Sequence, residues 1–133
     1  MTAKEYLKQY QTLDEQIFEK TLKLNRLRER RGYSSARVNV ERSALPSDKV
    51  ARLAANIADT EEEIARLKML KAEIESRVGS LPNSEHREVL RLRFMKGFSV
   101  IKTGEILHCS DETVYDRCRV ALAYFTGRYG DDF

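Results

Sequence analysis

Apolar residues along the first thirty positions recur in alternating steps of four and three, which predicts a helix with one face made for packing. The spacing runs from Tyr6 to about Arg30, and Lys20 is its one interruption. Residues spaced in this way share one side of an α-helix, where a second helix can cover them. We call this side the seam, and its apolar members are Tyr6, Tyr10, Leu13, Ile17, Leu24 and Leu27.

A longer seam follows from Val50 to Val78, and it predicts a second helix over about 48–78. Ser47-Asp48 supplies a capping start for this helix and Gly79 a stop. Thr60 and Lys71 are the polar interruptions of the seam. Its positions are Val50, Leu53, Ile57, Thr60, Ile64, Leu67, Lys71, Ile74 and Val78.

The stretch 32–47 between the two seams contains a glycine, several serines and a proline, so it is predicted to be a loop. Two seams joined by a loop predict an antiparallel, coiled-coil-like helical hairpin over residues 1–79. The spacing leaves one alternative open, in which the seams pair between two chains and form a homodimer through the hairpin.

Pro82 cannot continue a helix interior, and Asn83 or Ser84 can cap a new helix, so a second domain is predicted over 80–133. After Pro82, the turn segments Gly97-Phe98-Ser99 and His108-Cys109-Ser110 predict three short helices, the first two over about 85–96 and 100–107. The predicted fold class is therefore all-α, a long helical hairpin followed by a small three-helix domain.

The third short helix is the best specified. Ser110 suits its N-cap, and Asp111 and Glu112 suit the positive end of its dipole. A short helix, a turn of about three residues and a helix with a polar outer side form a helix-turn-helix, which presents its second helix to the DNA major groove. The side predicted to be buried carries Val114, Cys118, Ala121, Leu122 and Phe125, and the opposite side carries Glu112, Tyr115, Asp116 and Arg119.

Four motifs in residues 81–122 give this region a resemblance to the fourth region of bacterial sigma factors. They are Arg87-Glu88-Val89-Leu90, Gly97-Phe98-Ser99, Glu105-Ile106-Leu107, and Ser110 followed by Thr113-Val114, in the order and at the spacing of that family. The whole chain also resembles small phage and prophage proteins that are similar to transcription regulators.

The resemblance implies sequence-specific binding of double-stranded DNA by the third helix. The residues it implies on the groove side are Asp111, Glu112, Tyr115, Asp116 and Arg119, and those implied at phosphates are Ser99, Lys102 and Arg117. Three positions depart from the family pattern. Thr103 replaces a large aliphatic residue, Gly104 replaces a small alanine, and His108 replaces a turn glycine, although histidine is enriched in the left-handed conformation.

The distribution of charge qualifies this expectation. The net charge is +3, and residues 81–133 carry eight basic and eight acidic side chains, so this domain alone is expected to bind DNA weakly. Carboxylates on the reading side can accept hydrogen bonds from cytosine amino groups, which favours selectivity over affinity. Residues 20–42 have an excess of six positive charges. That cluster is either a solvated helix end or a second nucleic-acid contact through Arg26, Arg28, Arg30 and Arg31.

Other classes of protein receive little support from the sequence. No apolar run approaches the ~20 residues of a membrane span, and the N-terminus has no signal-peptide core, so a cytoplasmic protein without a membrane partner is expected. The two cysteines are nine residues apart, only two histidines occur, and no glycine-rich phosphate loop is present. We therefore expect no metal site, no cofactor and no enzymatic activity.

The resemblance, taken with the predicted helix-turn-helix, implies a phage or prophage transcription regulator that binds DNA through residues 99–122. Its hairpin is expected to form a homodimer or to contact RNA polymerase. Two alternatives stay open, a DNA-packaging recognition subunit of the small-terminase type and a coiled-coil adaptor that does not bind DNA.

Overall fold

A computed structural model describes the backbone of residues 1–40 and 47–133 and the side chains of residues 1–32 and 48–133. Every regular element in these ranges is a helix, which confirms the predicted all-α class. A π-helical turn, Arg91–Met95, directly follows the fourth helix, and a 3-10 turn, Gly130–Asp132, follows the sixth. The α-helices are α1 (Ala3–Lys8), α2 (Tyr10–Val40), α3 (Ser47–Gly79), α4 (Ser84–Leu90), α5 (Val100–Leu107) and α6 (Asp111–Tyr129).

The predicted limits of α3 and α5 agree closely with the structure. The helix α3 was expected over 48–78 and spans Ser47–Gly79, and α5 has the expected limits. The first short helix, predicted over about 85–96, is α4 followed by the π-helical turn.

The first long helix was predicted to be continuous from Tyr6, but the structure divides it at Gln9 into α1 and α2. The prediction that the first long helix ends near Arg30 was wrong, because α2 continues to Val40. A single glycine in a helix interior costs only about 1 kcal/mol relative to alanine, so Gly32 does not end the helix. The remainder of the predicted loop, residues 41–46, lies outside the described residues.

The chain forms two compact units. The hairpin unit is Glu15–Met69, and the terminal unit combines Met1–Asp14 with Leu70–Phe133. The predicted domain limits, 1–79 and 80–133, stay a prediction.

The hairpin unit is an antiparallel pair of helices with its seam filled inside one chain. Its buried cluster consists of Leu24, Leu27, Ile57 and Ile64, against which Leu53 packs. Ion pairs join Lys20 to Glu63 at 2.7 Å and Arg28 to Glu61 at 3.0 Å, so partners on α3 have lower numbers as numbers on α2 rise. This order is that of an antiparallel hairpin.

The polar residues that interrupt the seam each form a hydrogen bond or an ion pair with a nearby residue. Thr60 is buried, and its hydroxyl donates a hydrogen bond to the carbonyl of Asn56 at 2.8 Å. The hydrogen bond from Lys20 lowers the pKa of the Glu63 carboxyl. In the terminal unit, Lys71 forms an ion pair with Asp14 at 2.6 Å. Val50 was expected on the seam, but 47% of its surface is exposed.

The terminal unit has a core that combines both ends of the chain. Leu7 of α1 and Phe125 of α6 are fully buried. The ring of Phe133 stacks on Tyr6 with 4.7 Å between centroids and lies 5.9 Å from the ring of Phe125. Tyr6 donates a hydrogen bond to Glu73 at 2.9 Å, and burial together with this bond raises the pKa of Tyr6 to about 12.

Residue 11 ties α2 to the turn before α5. The side-chain amide of Gln11 donates to the carbonyl of Phe94 at 2.7 Å. Gly97 lies beside that amide with φ at 75°, a conformation that glycine adopts without strain. These contacts fix the start of α5 relative to the core of the terminal unit.

Within the described ranges, no helix is both long enough and apolar enough to span a membrane.

Candidate nucleic-acid interface

The helix-turn-helix arrangement expected at α5 and α6 is built around a tight turn. Ser99 caps α5, and its hydroxyl accepts the N–H of Lys102 at 3.1 Å. His108 ends α5 in the left-handed conformation, with φ at 55°, as the sequence predicted. The N–H of Cys109 donates to the carbonyl of Gly104 at 3.0 Å and closes the turn.

Gly104 is required by this turn. A Cβ atom built at this position would lie 2.7 Å from the carbonyl oxygen of Cys109, which is closer than carbon and oxygen normally approach. The alanine that is usual in the sigma-factor pattern would therefore clash here. The glycine lets the turn pack tightly against α5, so the departure from the pattern has a steric reason.

The start and the buried side of α6 agree with the sequence prediction. The hydroxyl of Ser110 accepts the N–H of Thr113 at 3.2 Å, so Ser110 is the N-cap. Four of the five residues expected to be buried are buried, and Leu122 is half-buried. The buried four are Val114, Cys118, Ala121 and Phe125. Burial raises the pKa of the Cys118 thiol, which favours its neutral form.

The opposite side of α6 is exposed along its first half. Tyr115 has 62% of its surface accessible, and Asp111 and Glu112 are exposed as well. The side chains of Asp116 and Arg119 are 70% and 78% exposed and form an ion pair at 3.2 Å. The structure therefore brings the five predicted groove-side residues together on one open surface, which we call the outer face of α6.

The three residues predicted to contact phosphates differ in how exposed their side chains are and in whether they already have an ion-pair partner. Ser99 and Lys102 are exposed, and the Lys102 ammonium lies 4.4 Å from the centroid of the Phe98 ring. Arg117 is less free, because its side chain is only 28% exposed and forms an ion pair with Glu85 at 3.5 Å. This ion pair joins α6 to α4, so Arg117 also has a structural role.

The predicted second basic contact lies in the hairpin unit. Its four arginines, Arg26, Arg28, Arg30 and Arg31, are all exposed on α2. Arg28 is paired with Glu61, whereas the other three have no ion-pair partner among the described residues. The four arginines are thus all open to solvent but lie on different sides of α2, since Arg28 is about 200° around the helix from Arg26. Their contact with nucleic acid stays a prediction.

The sequence assigned no buried side to α5, and the exposure of Ile101 was not foreseen. This apolar residue has 63% of its surface accessible, while Thr103 and Gly104 of the same helix are buried. Ile101 lines a shallow groove of about 420 Å³ that also includes Glu105 and Asp111. Ile106, 43% exposed, likewise lies outside the core. With only eight residues in α5, several assignments of its buried side fit the spacing.

Within the described residues, no group of three histidine, cysteine, aspartate or glutamate side chains is arranged to hold a metal ion. The exposed side chains of the outer face of α6 offer hydrogen bonding, ion pairing and aromatic contact.

Comparisons with known proteins agree with this geometry. A family model described as ECF sigma factor matches residues 12–129, which is most of the chain. Searches among curated proteins and among solved structures gave no match. The family that does match is one of non-enzymatic, DNA-binding transcription regulators. This chain belongs to the ECF sigma factor family.

Proposed function

We propose that this protein is a cytoplasmic, sequence-specific DNA-binding transcription regulator of phage or prophage type, and that it reads duplex DNA with the outer face of α6. The observation that carries the proposal is the contrast between the two sides of α6. Val114 and Phe125 are completely buried, while Tyr115 and Arg119 are open to solvent. A helix held firmly from behind and free in front can enter a major groove.

The tight turn supports the same proposal. Base recognition needs side chains fixed in position relative to the duplex, because each contact depends on hydrogen-bond geometry. The caps at Ser99 and Ser110, the left-handed His108 and the close packing at Gly104 fix α6 relative to α5. The reading helix is thus preorganised.

We assign base contacts to the outer face and phosphate contacts around it. Arg119 can donate to guanine, and a carboxylate such as Glu112 can accept from a cytosine amino group. Ser99, Lys102 and Arg117 are the phosphate contacts. Because Asp111, Glu112 and Asp116 repel the DNA backbone, we expect low non-specific affinity and strong dependence on the correct bases.

The arginines of the hairpin unit are proposed to add affinity without sequence preference. Neutralising Arg26, Arg28, Arg30 and Arg31 together should weaken binding to every duplex and flatten its dependence on salt, because each phosphate contact releases counterions. An unaltered salt slope would assign this cluster to the solvated helix end instead.

RNA polymerase is a further proposed partner, since it is the expected partner of a sigma-factor-like regulator. A homodimer through the hairpin also stays a proposal. Because the seam is filled within one chain, such a dimer would have to use another side of α2 or α3.

Selection of binding sites from a random duplex library by the purified protein tests the proposed function. We expect one enriched sequence, and Arg119→Ala should weaken binding to it by roughly 1–3 kcal/mol and relax the preference at one base pair. Arg128→Ala, a change at the exposed C-terminal end of the same helix, serves as the matched control and should retain the preference. Equal losses in both variants would remove Arg119 from the base contacts.

Two other outcomes would favour the alternative functions. A ring of many chains on DNA would favour a packaging recognition subunit over a promoter-binding regulator. Absence of binding to any duplex, even in dilute salt, would favour a protein-binding adaptor.

A further inference from the structure

The helix α2 carries a second apolar stripe that the hairpin does not use. Phe18 and Leu22 are four residues apart, and 63% and 40% of their surfaces are exposed. At about 100° per residue, Leu22 points roughly 200° away from the buried Leu24, and Phe18 points equally far from Lys20 on the seam. This stripe therefore lies on the side of α2 opposite its seam.

The seam in the hairpin unit is already complete without these residues. Leu24 and Leu27 pack with Ile57 and Ile64 and are less than a tenth exposed. Phe18 and Leu22 thus have no role in joining α2 to α3. Large apolar side chains that cluster on a solvent-facing surface mark sites of association.

Charged residues on both sides of the stripe suggest which partner it fits. One turn before Phe18 lies Glu15, and one turn after Leu22 lies Arg26. Both are exposed, and neither has an ion-pair partner among the residues whose side chains the structure describes. Along these four positions the order is therefore acidic, apolar, apolar, basic. Two further exposed acids, Glu19 and Glu29, lie within about 60° of Leu22 on the same side of α2.

We infer that this surface, Glu15, Phe18, Leu22 and Arg26, binds a second copy of the same chain. Consider two α2 helices that pack antiparallel through this surface, with the two-fold axis at the height of residue 20 along each helix. Phe18 of one copy then meets Leu22 of the other, and Glu15 meets Arg26. Each contact then occurs twice, as in an isologous interface. A surface that is acidic at one end and basic at the other is complementary to its own reversed copy.

The interface is small, so the dimer exchanges with monomer. Each chain contributes two apolar side chains and one residue of each charge. The surface area that these residues can bury is well below the ~1,200–2,000 Å² buried in a stable complex. The association depends on protein concentration and, through its ion pairs, on salt. It requires no DNA, and it assigns a surface to the homodimer proposed above. Only Arg26 is shared with the proposed phosphate contacts, so the failure of DNA binding by α6 would leave the inference standing.

Sedimentation equilibrium of the full chain without DNA tests the inference. The wild-type protein should show a reversible monomer–dimer equilibrium, and Phe18→Glu should weaken it by roughly tenfold or more, because two charges replace the central contacts. Glutamate is a good helix former, so the change leaves α2 intact. The matched control is Met69→Glu, which alters an apolar residue of α3 that is even more exposed than Phe18 and should leave the dimer unchanged.

Charge reversal gives the sharper test. Glu15→Arg and Arg26→Glu should each weaken self-association by roughly tenfold or more, because each creates two like-charge pairs across the axis. A mixture of these two variants should form a heterodimer in which both ion pairs are restored. The double variant with Glu15→Arg and Arg26→Glu should again form a homodimer.

Recovery in the mixture and in the double variant would exclude misfolding as the cause of the losses. A wild-type protein that stays monomeric at all accessible concentrations would overturn the inference. So would a dimer that is unaffected by Phe18→Glu, or single charge reversals that the mixture does not rescue.

Discussion

In the hairpin unit, Lys20 and Thr60 interrupt an apolar seam, and each has a partner for its polar atoms. In the terminal unit, Thr103 is fully buried, and its hydroxyl has no hydrogen-bond partner within the described residues. The hairpin unit thus satisfies its polar interruptions along two regular helices. The terminal unit, in contrast, buries the Thr103 hydroxyl without a hydrogen-bond partner in the described part of the chain, where α5 packs into its core.

The difference shows what each unit has to do. Two helices that pack along a seam need only one buried side each. Small shifts of their side chains allow a polar residue on the seam to reach a partner. The terminal unit must hold α6 from behind while leaving its outer face open, so its packing around Gly104 and Thr103 has little freedom.

Truncation of a core residue should have the largest effect, and more so in the terminal unit. Phe125→Ala should lower the free energy of unfolding by about 3–5 kcal/mol, because the ring is fully buried against Tyr6, Tyr129 and Phe133. Leu24→Ala in the hairpin unit should cost about 2 kcal/mol, because a two-helix seam can close over the missing atoms. Urea denaturation followed by circular dichroism measures both. Equal losses would contradict the difference in packing freedom.

Two helical glycines provide the next test. Gly104→Ala should lower the free energy of unfolding by about 1–3 kcal/mol, because its Cβ would meet the Cys109 carbonyl. Gly127→Ala should raise it by about 1 kcal/mol, since nothing lies within 4 Å and alanine is the better helix former. Thermal unfolding of both variants checks the sign. A stabilising Gly104→Ala would refute the steric account of the turn.

The two buried threonines compare the units directly. Thr103→Val should raise the free energy of unfolding by about 1 kcal/mol, because it removes a buried hydroxyl that has no partner. Thr60→Val should lower it by up to about 1 kcal/mol, because that hydroxyl does have a partner. Valine and threonine have similar shape and helix propensity, so the polar atom is the main difference. Two changes of the same sign would contradict the comparison.

The smallest effect concerns pH and the hairpin unit. The hydrogen bond from Lys20 holds the pKa of Glu63 below its ordinary value of 4.5. A lowered folded-state pKa contributes stability above the unfolded value, and this contribution is lost as pH falls through the folded value. Glu63→Gln should therefore destabilise the protein slightly at pH 7 and not at pH 2. Glu62→Gln, at an exposed neighbour without an ion-pair partner in the described chain, should differ little from wild type at either pH.

The regular helices and the two sides of α6 could be predicted from spacing alone. Period and capping residues are local signals, and Ser110, Val114 and Phe125 carry them within sixteen positions. The left-handed conformation of His108 was expected from the resemblance, which places a turn glycine at this position, together with the enrichment of histidine in that conformation.

Contacts between distant parts of the chain left no such signal. Nothing in the sequence near Gln11 indicates its bond to Phe94, and nothing near Phe133 indicates stacking on Tyr6. The buried side of α5 was not assigned from the sequence. It carries Thr103 and Gly104 rather than the more hydrophobic Ile101, because tertiary packing outweighs the hydrophobicity of single residues. The side on which α6 is exposed was predictable, while the packing that supports it was not.

Mapping the DNA contacts by NMR tests the central claim most directly. The selected duplex would be added to the isotope-labelled protein, and the chemical-shift changes would be assigned to residues. We predict the largest changes at Glu112, Tyr115 and Arg119 on the outer face of α6, with smaller ones at Ser99 and Lys102. Changes confined to the arginines of α2, with the α6 signals unmoved, would contradict the claim that α6 reads the DNA.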